Sequence, residues 1–503
     1  MPVDTPHISY EKARIGWQRC RDAAEGLEAV RARGVEYLPQ LAGQDTPAYT
    51  AYKKRSDWYG AMGRTIQGMD GAPFRKEMSL ELPEAIEEDW SRDITLTGIP
   101  VKSFARKLLD ELLEVGRHGV YVDMAPETEG AEEVRPYLVS IQAENIVDWI
   151  EERIGGKQIV TQVRIREVTE EPDPEDPFKR EQVEQFRVLD IVEGQYQVQL
   201  WRKKKADASS KGEWMPWSPD GSGAPFVPTF RKRPLMQVPE LRELTGGGVP
   251  FWFLNPTDIT PDVDKPPFKD LADLNLSLYR NSADLENALH YTGFPQPIAA
   301  GFPAKEKFHI GSQTAWVSND PSAKAYYMEY SGQGLQAVLE NMARKKAEMA
   351  AMGARLLEEQ KKAQEAADTV RLRQSGEQAS LVGMIEIVET VLSASLMFAA
   401  AWAGQNAGKV SVGINKDLVA IRATPQELSA LNESLQAGNI SYETYYYNLE
   451  QLELSRPGVD AEEEQEAIES DEGSIFQERA EGGRPATDRE EDIDEKVEGA
   501  QAA

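Results

Sequence analysis

The sequence predicts an α+β protein, and three features of its hydrophobic pattern lead to that class. Apolar residues recur at helical spacing near the N-terminus and again after residue 267. From Arg135 to about Leu235 the pattern changes to an alternation of period two, which is typical of strands. Between these regions, Ser103–Pro126 reads as a helix, a glycine turn and a short strand.

Composition limits the number of domains and the kinds of partner that the chain can have. The chain has 503 residues, which allows roughly two to four domains. It carries 56 Lys and Arg against 85 Asp and Glu, a net charge of −29. Such an acidic protein repels nucleic acid at long range, so a protein that wraps DNA tightly is not expected. A protein that encloses DNA without gripping it remains compatible with this charge.

Neither a disulfide nor a membrane span is expected. Cys20 is the only cysteine, so no disulfide can form within the chain. The N-terminal sequence has no apolar signal core. The best membrane candidate, Leu381–Trp402, contains Glu386 and Glu389, whose charges are costly in lipid. We expect this segment to be a buried or oligomer-facing helix.

The N-terminal region, Tyr10–Met78, is expected to be helical. Its densest part is Ser56–Lys76, where apolar residues follow helical spacing until a Gly-Ala-Pro sequence ends the helix. These apolar residues are Trp58, Met62, Ile66 and Met69. In the next unit Ser103 is the expected N-cap, and Gly116 and Gly119 lead into the strand GVYVDM.

The period-two region is expected to form a sheet. Its strands are PYLVSIQAENIVDWI, QIVTQVRIREV, FRVLDIVEG and YQVQLWRKK. Two solvated loops are expected, Thr169–Gln182 with its prolines and acids and Ala206–Pro225 with its Ser and Gly. The proline-punctuated stretch Pro250–Pro267 is expected to be an extended connector.

A long helix is expected next, over Asp270–Thr292, but a polar block at 279–284 interrupts its leucine stripe. A small β insertion, Gly293–Gly332, should follow, with strands near Pro297–Ala300, Thr314–Val317 and Ala325–Tyr330. The second long helix starts after Gly332. Its apolar stripe has spacings of three and four, with Lys345 at the one missing place, which is typical of packing against helices at shallow angles.

The remaining elements complete the coarse prediction. Ser380–Ala403 is apolar nearly all round, so we expect a helix buried on most faces. A short strand should lie in Lys409–Val419, followed by two helices in Ala423–Gln451 that Thr424 and Ser441 cap. The tail from Asp460 to Ala503 has 17 acids and 4 bases and is expected to be disordered.

No catalytic signature appears in the sequence. None of the four histidines is spaced for a metal site with another His or with Cys, so neither a metal nor a cofactor is expected. A phosphate-binding loop and a nucleophile elbow are also missing from the sequence. One charge feature goes against the acidic trend: Arg344–Arg373 holds eight bases and five acids. Either this is a solvated helix face, or its cations face a phosphate backbone in an oligomer.

The order of the pieces resembles the portal proteins of tailed phages, in a subfamily catalogued as a domain of unknown function. The resemblance covers roughly Tyr10–Glu469 and rests on the number and order of its segments. These are WQRCRDAAEG, the block from EYLPQLAGQDTP to GAPFRK, LLEVGRHGVYVDM, AENIVDWIEERIGGK, DLADLNLSLYRNSADLENALHYTGFPQPIAAG, IGSQTAWV, MAAMGARLLE and ATPQELSALNESLQAGNIS.

The resemblance implies the portal fold, assembled as a ring. Residues 264–292 and 332–358 would be α-helical stem helices, and 293–331 a small β clip between them. Residues 359–376 would hold the tunnel loop. The wing would comprise 1–263 and 377–422, the helical crown 423–459, and a disordered acidic tail 460–503. Polar breaks in the stem helix would then be expected, because each stem helix touches neighbours and the channel.

The implied function is that of a non-enzymatic virion protein. Portal subunits form a self-associated ring of about twelve at one capsid vertex. Double-stranded DNA passes through its channel during packaging and ejection. Its implied partners are the terminase large subunit, a head–tail adaptor, and the major capsid or scaffolding protein, with no membrane involved. The location would be the virion, and the host cytoplasm during assembly.

Two sets of residues are candidates for these contacts. The cations Lys361, Lys362, Arg371 and Arg373 of the tunnel loop are predicted to face DNA. Five aromatic residues of the clip are predicted to bind the terminase or the adaptor, or else to pack between neighbouring clips: Phe308, Trp316, Tyr326, Tyr327 and Tyr330. The alternative functions are another virion structural protein, such as an adaptor or minor head protein, and a packaging nuclease–ATPase, which would need a phosphate loop.

Overall fold

The computed structural model confirms a mixed helix and sheet fold of the α+β class. It describes residues 2–124, 134–173, 176, 178–203, 212–293, 296–302, 309, 316–328, 333–353, 367–418, 425–452, 454–456 and 459–468. For 296, 333, 367–378, 425–427 and 451 it describes the backbone only. The chain divides into two compact units, Met1–Lys416 and Asp417–Ala503.

The N-terminal part of the first unit is helical, as predicted. Its helices are α1 (Ile8–Glu25), α2 (Leu27–Ala32), α3 (Thr46–Arg55), α4 (Ala61–Gly71), α5 (Glu84–Arg92) and α6 (Val101–Val115), with the short strand β1 (Ser79–Glu81) before α5. The apolar positions Met62, Ile66 and Met69 are buried on α4, whereas Trp58 precedes that helix. The predicted cap of α6 is wrong: Pro100, already held in an extended conformation, precedes the helix, so Ser103 lies inside the first turn.

The strand of the helix–glycine–strand unit and the period-two region contribute to two antiparallel sheets. The strands are β2 (His118–Met124), β3 (Pro136–Gln142), β4 (Ile146–Ile154), β5 (Lys157–Pro172), β6 (Arg180–Val192), β7 (Gln195–Lys203) and β8 (Trp214–Trp217). One sheet has the order β4-β5-β6-β7-β8. The stretch predicted as a first single strand divides into β3 and β4, because a turn at Ala143–Asn145 sends the chain into the second sheet.

Both predicted loops of this region are shorter than expected. Strands β5 and β6 extend to Pro172 and from Arg180, where their ladder continues from the pair Thr169 and Val183 to the pair Pro172 and Arg180. Arg202 of β7 donates to Glu171 Oε1 at 2.7 Å and so pairs one of the acids in this extension. Within the second loop Trp214–Trp217 is a strand. Its indole rings are covered by cations of β7, since the Arg202 guanidinium lies 3.4 Å from the Trp217 ring centroid.

The connection from the sheets to the long helices is short and irregular. It contains β9 (Thr229–Phe230), β10 (Arg233–Pro234), α7 (Pro239–Leu244) and β11 (Phe251–Leu254). Strand β11 pairs with β2, which gives a three-stranded sheet of order β11-β2-β3. The extended stretch that follows β11 leads into the first long helix.

The C-terminal half of the first unit holds the long helices. These elements are α8 (Lys269–Thr292), β12 (Gln296–Ala300), β13 (Lys324–Met328), α9 (Gln333–Met352), α10 (Ala367–Trp402) and β14 (Ser411–Gly413). Helix α10 begins well before the predicted Ser380, so part of the predicted tunnel loop is helical. In the predicted middle strand of the insertion, Trp316 and Val317 are not in a strand; Thr314 and Ala315 lie outside the described residues.

Helix α10 is the central core helix of the first unit. Its contacts are with α6, α7, β2, β3 and β11. Its length and apolar composition over Ala379–Trp402 would suffice to cross a membrane. In the fold, side chains from Leu381 to Trp402 are mostly buried, and the Glu389 carboxylate accepts the backbone N–H of Ile414 at 2.6 Å. This packing is that of a core helix.

The second unit contains α11 (Pro425–Gln436) and α12 (Tyr442–Gln451). The Ser441 hydroxyl accepts the backbone N–H of Thr444 at 3.2 Å, which confirms the predicted cap of α12. Gly438, between the two helices, has φ +70°. The other predicted cap, Thr424, and the tail after residue 468 lie outside the described part of the chain. The prediction of disorder is wrong for the start of the tail, because 461–468 is helical.

Candidate functional site

The candidate site is built from α8, the β12–β13 hairpin and α9. One face of α8 packs on the N-terminal helices through a hydrophobic cluster, in which Leu276, Tyr279 and Ala283 of α8 are buried. Their partners in the cluster are Val30, Tyr37, Leu38 and Tyr52. This contact anchors the first half of α8 and leaves its C-terminal turns to extend toward the hairpin.

The polar block of α8 serves this anchoring contact. The Ser282 hydroxyl donates to the carbonyl of Asp57 at 2.7 Å, and the Tyr52 hydroxyl donates to Asp284 Oδ1 at 2.6 Å. About two turns before Ser282, Asn275 Oδ1 accepts the backbone N–H of Ala61, which starts α4, at 3.2 Å. Buried polar groups need such partners, so these side chains fix the rotation of α8 about its axis.

Helix α9 runs antiparallel to α8 and joins it through a polar seam. The Asn341 amide donates to Asn281 Oδ1 at 3.3 Å. One turn further, Lys345 Nζ donates to Ser277 Oγ at 2.7 Å and to Asn281 Oδ1. Burial lowers the pKa of Lys345, and the nearby positive charges of Arg280 and Arg344 lower it further.

This seam gives part of the polar block partners within the chain. Asn281 and Ser282 find partners within the same chain, so contacts with neighbouring subunits are not needed to explain them. It also explains why a lysine interrupts the apolar stripe of α9, because Lys345 faces hydroxyl and amide oxygens of α8. Arg280 is exposed.

The seam leads to a prediction about pairwise stability. A double-mutant cycle of Lys345→Ala and Asn281→Ala should give a coupling energy of about 0.5–1.5 kcal/mol, the range of a partly buried hydrogen bond. The measurement is the shift in denaturant midpoint of each variant. The matched pair is Arg344 and Glu348, whose charged atoms lie 2.8 Å apart on the exposed side of α9; their coupling should be only about 0.3–0.5 kcal/mol. Equal couplings would contradict the role assigned to the seam.

The hairpin presents its aromatic residues to solvent. In its register Ile298 pairs with Tyr326 and Pro297 with Tyr327. The two tyrosines are 53% and 59% exposed, although neighbouring residues of a strand point to opposite faces. Both faces of β13 are therefore open at this point.

Of the other three predicted aromatic residues of the insertion, only Trp316 lies in the described part of the chain. Trp316 Nε1 donates to the carbonyl of His309 at 2.9 Å, so its indole helps to hold the insertion together. Phe308 and Tyr330 lie outside the described residues. The predicted binding role of these aromatic residues stays a prediction.

The side chains of the four predicted channel cations are not among those that the structure describes. Lys361 and Lys362 belong to 354–366, which lies outside it. Arg371 and Arg373 lie in the first turns of α10, where only the backbone is described. Among the residues whose side chains are described, no cluster of three or more His, Cys, Asp or Glu could hold a metal ion.

Comparison with known proteins gives one family match. The model of a family described as a domain of unknown function (DUF4055) matches residues 267–403, which span α8, the hairpin, α9 and α10. No curated protein matches the chain. The part of the chain that the family model covers is thus the candidate site and the core helix behind it.

Solved structures also match, over most of the chain. A chain of the "Virion of native gene transfer agent (GTA) particle" is 10% identical with a TM-score of 0.39, and the match covers 84% of this chain and 98% of that one. A chain of the "Neck of empty GTA particle computed with C6 symmetry" is 12% identical with a TM-score of 0.39, covering 86% and 99%. A chain of the "Neck of native GTA particle computed with C12 symmetry" is 10% identical with a TM-score of 0.36, and the match covers 83% of this chain and 98% of that one. At these values the likeness does not assign a function.

Proposed function

We propose that this chain is a portal-type virion subunit that forms a ring of about twelve copies at one capsid vertex. The ring would enclose a channel for double-stranded DNA during packaging and ejection. The proposal assigns no catalytic step, cofactor or metal to the chain. Its partners would be the terminase large subunit, a head–tail adaptor and the major capsid or scaffolding protein.

The observation that carries the proposal is the order of α8, hairpin, α9 and α10. Helices α8 and α9 form an antiparallel pair, and the hairpin of β12 and β13 lies between them in the chain. Leu339 and Met352 of α9 and Leu289 of α8 are exposed. A pair that leaves apolar side chains open along its length suits a position between identical neighbours in a ring.

The hairpin suits the docking role. Its two exposed tyrosines are amphipathic side chains of the kind enriched in interfaces. Either they bind the terminase and adaptor, or they pack against neighbouring hairpins of the ring. The acidic balance of the chain suits the channel role, since each neutralised phosphate adds affinity and would slow the DNA.

The test of assembly is native mass spectrometry with negative-stain images of the purified chain. A closed ring of about twelve subunits with an axial hole is expected. A compact dimer or tetramer without a hole would overturn the proposal. It would favour the alternative of another virion component, such as a head–tail adaptor or minor head protein.

The channel role gives a second test, of the four predicted cations. Replacing Lys361, Lys362, Arg371 and Arg373 with Ala should change the amount of DNA packaged per particle while leaving the ring intact, because the wall then loses its positive charge. Packaged DNA is measured by nuclease protection. The matched control replaces four exposed cations of the first unit with Ala: Lys12, Lys107, Arg153 and Lys157. Unchanged packaging in the first variant would remove these residues from the channel.

A further inference from the structure

Among the described residues, three hairpins close with two-residue loops, and one of these loops contains no glycine. The loops are Gly155-Gly156 between β4 and β5, Glu193-Gly194 between β6 and β7, and Arg231-Lys232 between β9 and β10. All six loop residues have positive φ, which is the pattern of a type I′ turn. Glycine adopts this conformation without strain, whereas a residue with a side chain does not. Arg231, at φ +48°, and Lys232, at φ +67°, are therefore both strained.

Contacts with the core helix α10 fix the backbone of this loop. Phe230 and Arg233 pair across the loop, which closes the hairpin. Trp402 Nε1, at the end of α10, donates to the carbonyl of Thr229 at 3.2 Å. The Arg231 guanidinium lies over the Phe230 ring, 4.9 Å from its centroid. The hairpin thus presents the side chains of its loop from a backbone that is anchored to the protein core.

Arg231–Arg233 is a run of three bases that the described part of the chain leaves without acidic partners. All three residues are exposed, and none of them forms an ion pair or a side-chain hydrogen bond with a described residue. The contact of Arg231 with the Phe230 ring is the exception among their side-chain interactions. The positive charge of this run is therefore open to a partner from outside.

The other runs of three or more bases have partners or a local cause. The run that begins at Arg202 pairs with acids of the same sheet through its first two residues. In the run that begins at Arg344, that residue pairs with Glu348, and Lys345 bonds to α8. Lys53–Arg55 lies in the last turn of α3, where the partial negative charge of the helix end attracts cations. The run at the β9–β10 loop has neither explanation.

The segments that form this surface contain no acid. Residues 221–239, which include the hairpin, have neither Asp nor Glu, and the same holds for 390–416, which include the end of α10. The two segments meet at the hairpin, where a Cβ on Gly404 would lie 3.6 Å from Phe230 Cε2. The whole chain has 85 acids among its 503 residues, so this surface departs from the acidic trend. Its unpaired charges are positive, and the partner that they select is an anion.

We propose that Arg231, Lys232 and Arg233 bind the phosphate backbone of double-stranded DNA. Two guanidinium groups and an ammonium group are suited to phosphate oxygens. Three adjacent cations on one loop suit a polyanion, whose negative charges follow one another closely along its length. Such contacts carry no sequence information, so the binding would be non-specific and sensitive to salt.

The strain of the loop favours a role in binding over a role in closing the hairpin alone. Asn-Gly at these two positions would close the hairpin with less strain, because both residues tolerate positive φ. The chain instead has two bases there, and strained positions of this kind cluster at functional sites. The inference takes its polyanion from the proposed function. The site is distinct from the four predicted cations of the tunnel loop.

The test replaces the loop with the pair that a type I′ turn favours, Arg231→Asn with Lys232→Gly. The denaturant midpoint should rise, because the strain is relieved. The affinity for a labelled duplex of about 30 base pairs and arbitrary sequence should fall about tenfold at about 50 mM salt. The slope of log K against log salt concentration should fall by about 2, since each lost cation removes about one unit. A loop that served folding alone would not weaken DNA binding while the midpoint rises.

The matched control is Arg153→Gln with Lys157→Gln, which removes two exposed bases beside the Gly155-Gly156 loop. It changes the net charge equally and should keep the wild-type affinity, because these bases lie outside the site. An equal loss of affinity in both variants, or no measurable binding of the duplex by the wild-type chain, would overturn the site. Polyglutamate of the same charge should bind more weakly than the duplex, and tighter binding of polyglutamate would also overturn it.

The outcomes separate this site from the proposed function when ring formation of the same variants is recorded by native mass spectrometry. Rings of the Arg231→Asn, Lys232→Gly variant with weakened DNA binding would support both proposals. Rings of this variant that bind DNA with wild-type strength would leave the ring proposal standing and remove the site. DNA binding that depends on Arg231–Arg233 in a chain that forms no ring would retain the site and remove the ring.

Discussion

Gly116→Ala lowers the free energy of unfolding by about 2–5 kcal/mol, the sum of left-handed strain and a steric clash. Gly116 ends α6 with φ +69°, a conformation that costs an L-residue energy. A Cβ there would lie 2.9 Å from Pro267 Cδ and 3.0 Å from Pro266 Cα. These prolines come immediately before α8, so the substitution pushes on the entry to the long helix.

The control for Gly116 is Gly43→Ala. Gly43 has φ +75°, but nothing lies within 4 Å of the Cβ that an alanine would add. The free energy of unfolding of Gly43→Ala should fall only by the strain of the left-handed conformation, about 1–2 kcal/mol. The measurement is the denaturant midpoint of both variants. Equal losses would show that the prolines can move aside and that the close approach does not position α8.

Glu114→Gln stabilises the protein at pH 8 and leaves it unchanged near pH 4.5. Glu114 lies among the acids Glu111 and Glu144, and all three contact the Arg21 guanidinium. Burial raises the pKa of Glu114 to about 7; the charge of Arg21 opposes this, and the neighbouring carboxylates add to it. Arg21 cannot offset the cost because it is closer to Glu111 and Glu144, at 2.6 Å each, than to Glu114, at 3.2 Å.

The sign follows from proton binding. The folded chain holds a proton on Glu114 up to about pH 7, whereas the ordinary pKa of 4.5 applies in the unfolded chain. The wild type therefore loses stability as pH rises between these values, by up to about 3 kcal/mol, since each pKa unit is worth about 1.4 kcal/mol. The glutamine does not titrate, so the free energy of unfolding of the variant rises relative to that of the wild type between about pH 4.5 and 7.

Unfolding midpoints at pH 4.5, 6 and 8 measure this effect. The control is Glu87→Gln on α5, an exposed position, whose difference from the wild type should stay small at every pH. A wild type more stable than Glu114→Gln at pH 8 would contradict the prediction. It would mean that the ion pair with Arg21 outweighs burial.

The long helices were predictable because their signals are local. The stripe of α8 and the glycine that follows it placed the helix within a few residues. The Ser441 cap and the strand GVYVDM were also found, since each depends on neighbouring residues only. Helix α10 was predicted to be buried because it is apolar nearly all round, and most of its described side chains are.

The errors lie where contacts between distant segments decide. Ser103 satisfies the local rule for a cap, but the helix begins at Val101, whose side chain is buried in the core. Trp214–Trp217 has the composition of a loop, yet it pairs with β7, which supplies cations to its rings. The core around Val101 and the strand β7 are not adjacent in sequence to the segments that they hold. A short stretch of sequence pattern therefore could not predict these two contacts.

The sequence by itself determined the α+β class, the helix–insertion–helix order and the net charge, because these depend on composition and on short-range periodicity. Only the tertiary structure decided that Lys345 bonds to Ser277 and Asn281, and that Glu114 shares Arg21 with two other acids. Each of these contacts joins side chains that are far apart in the sequence and that folding brings together. Hydrogen bonding and burial depend on how close groups are in space, which the local sequence pattern does not reveal.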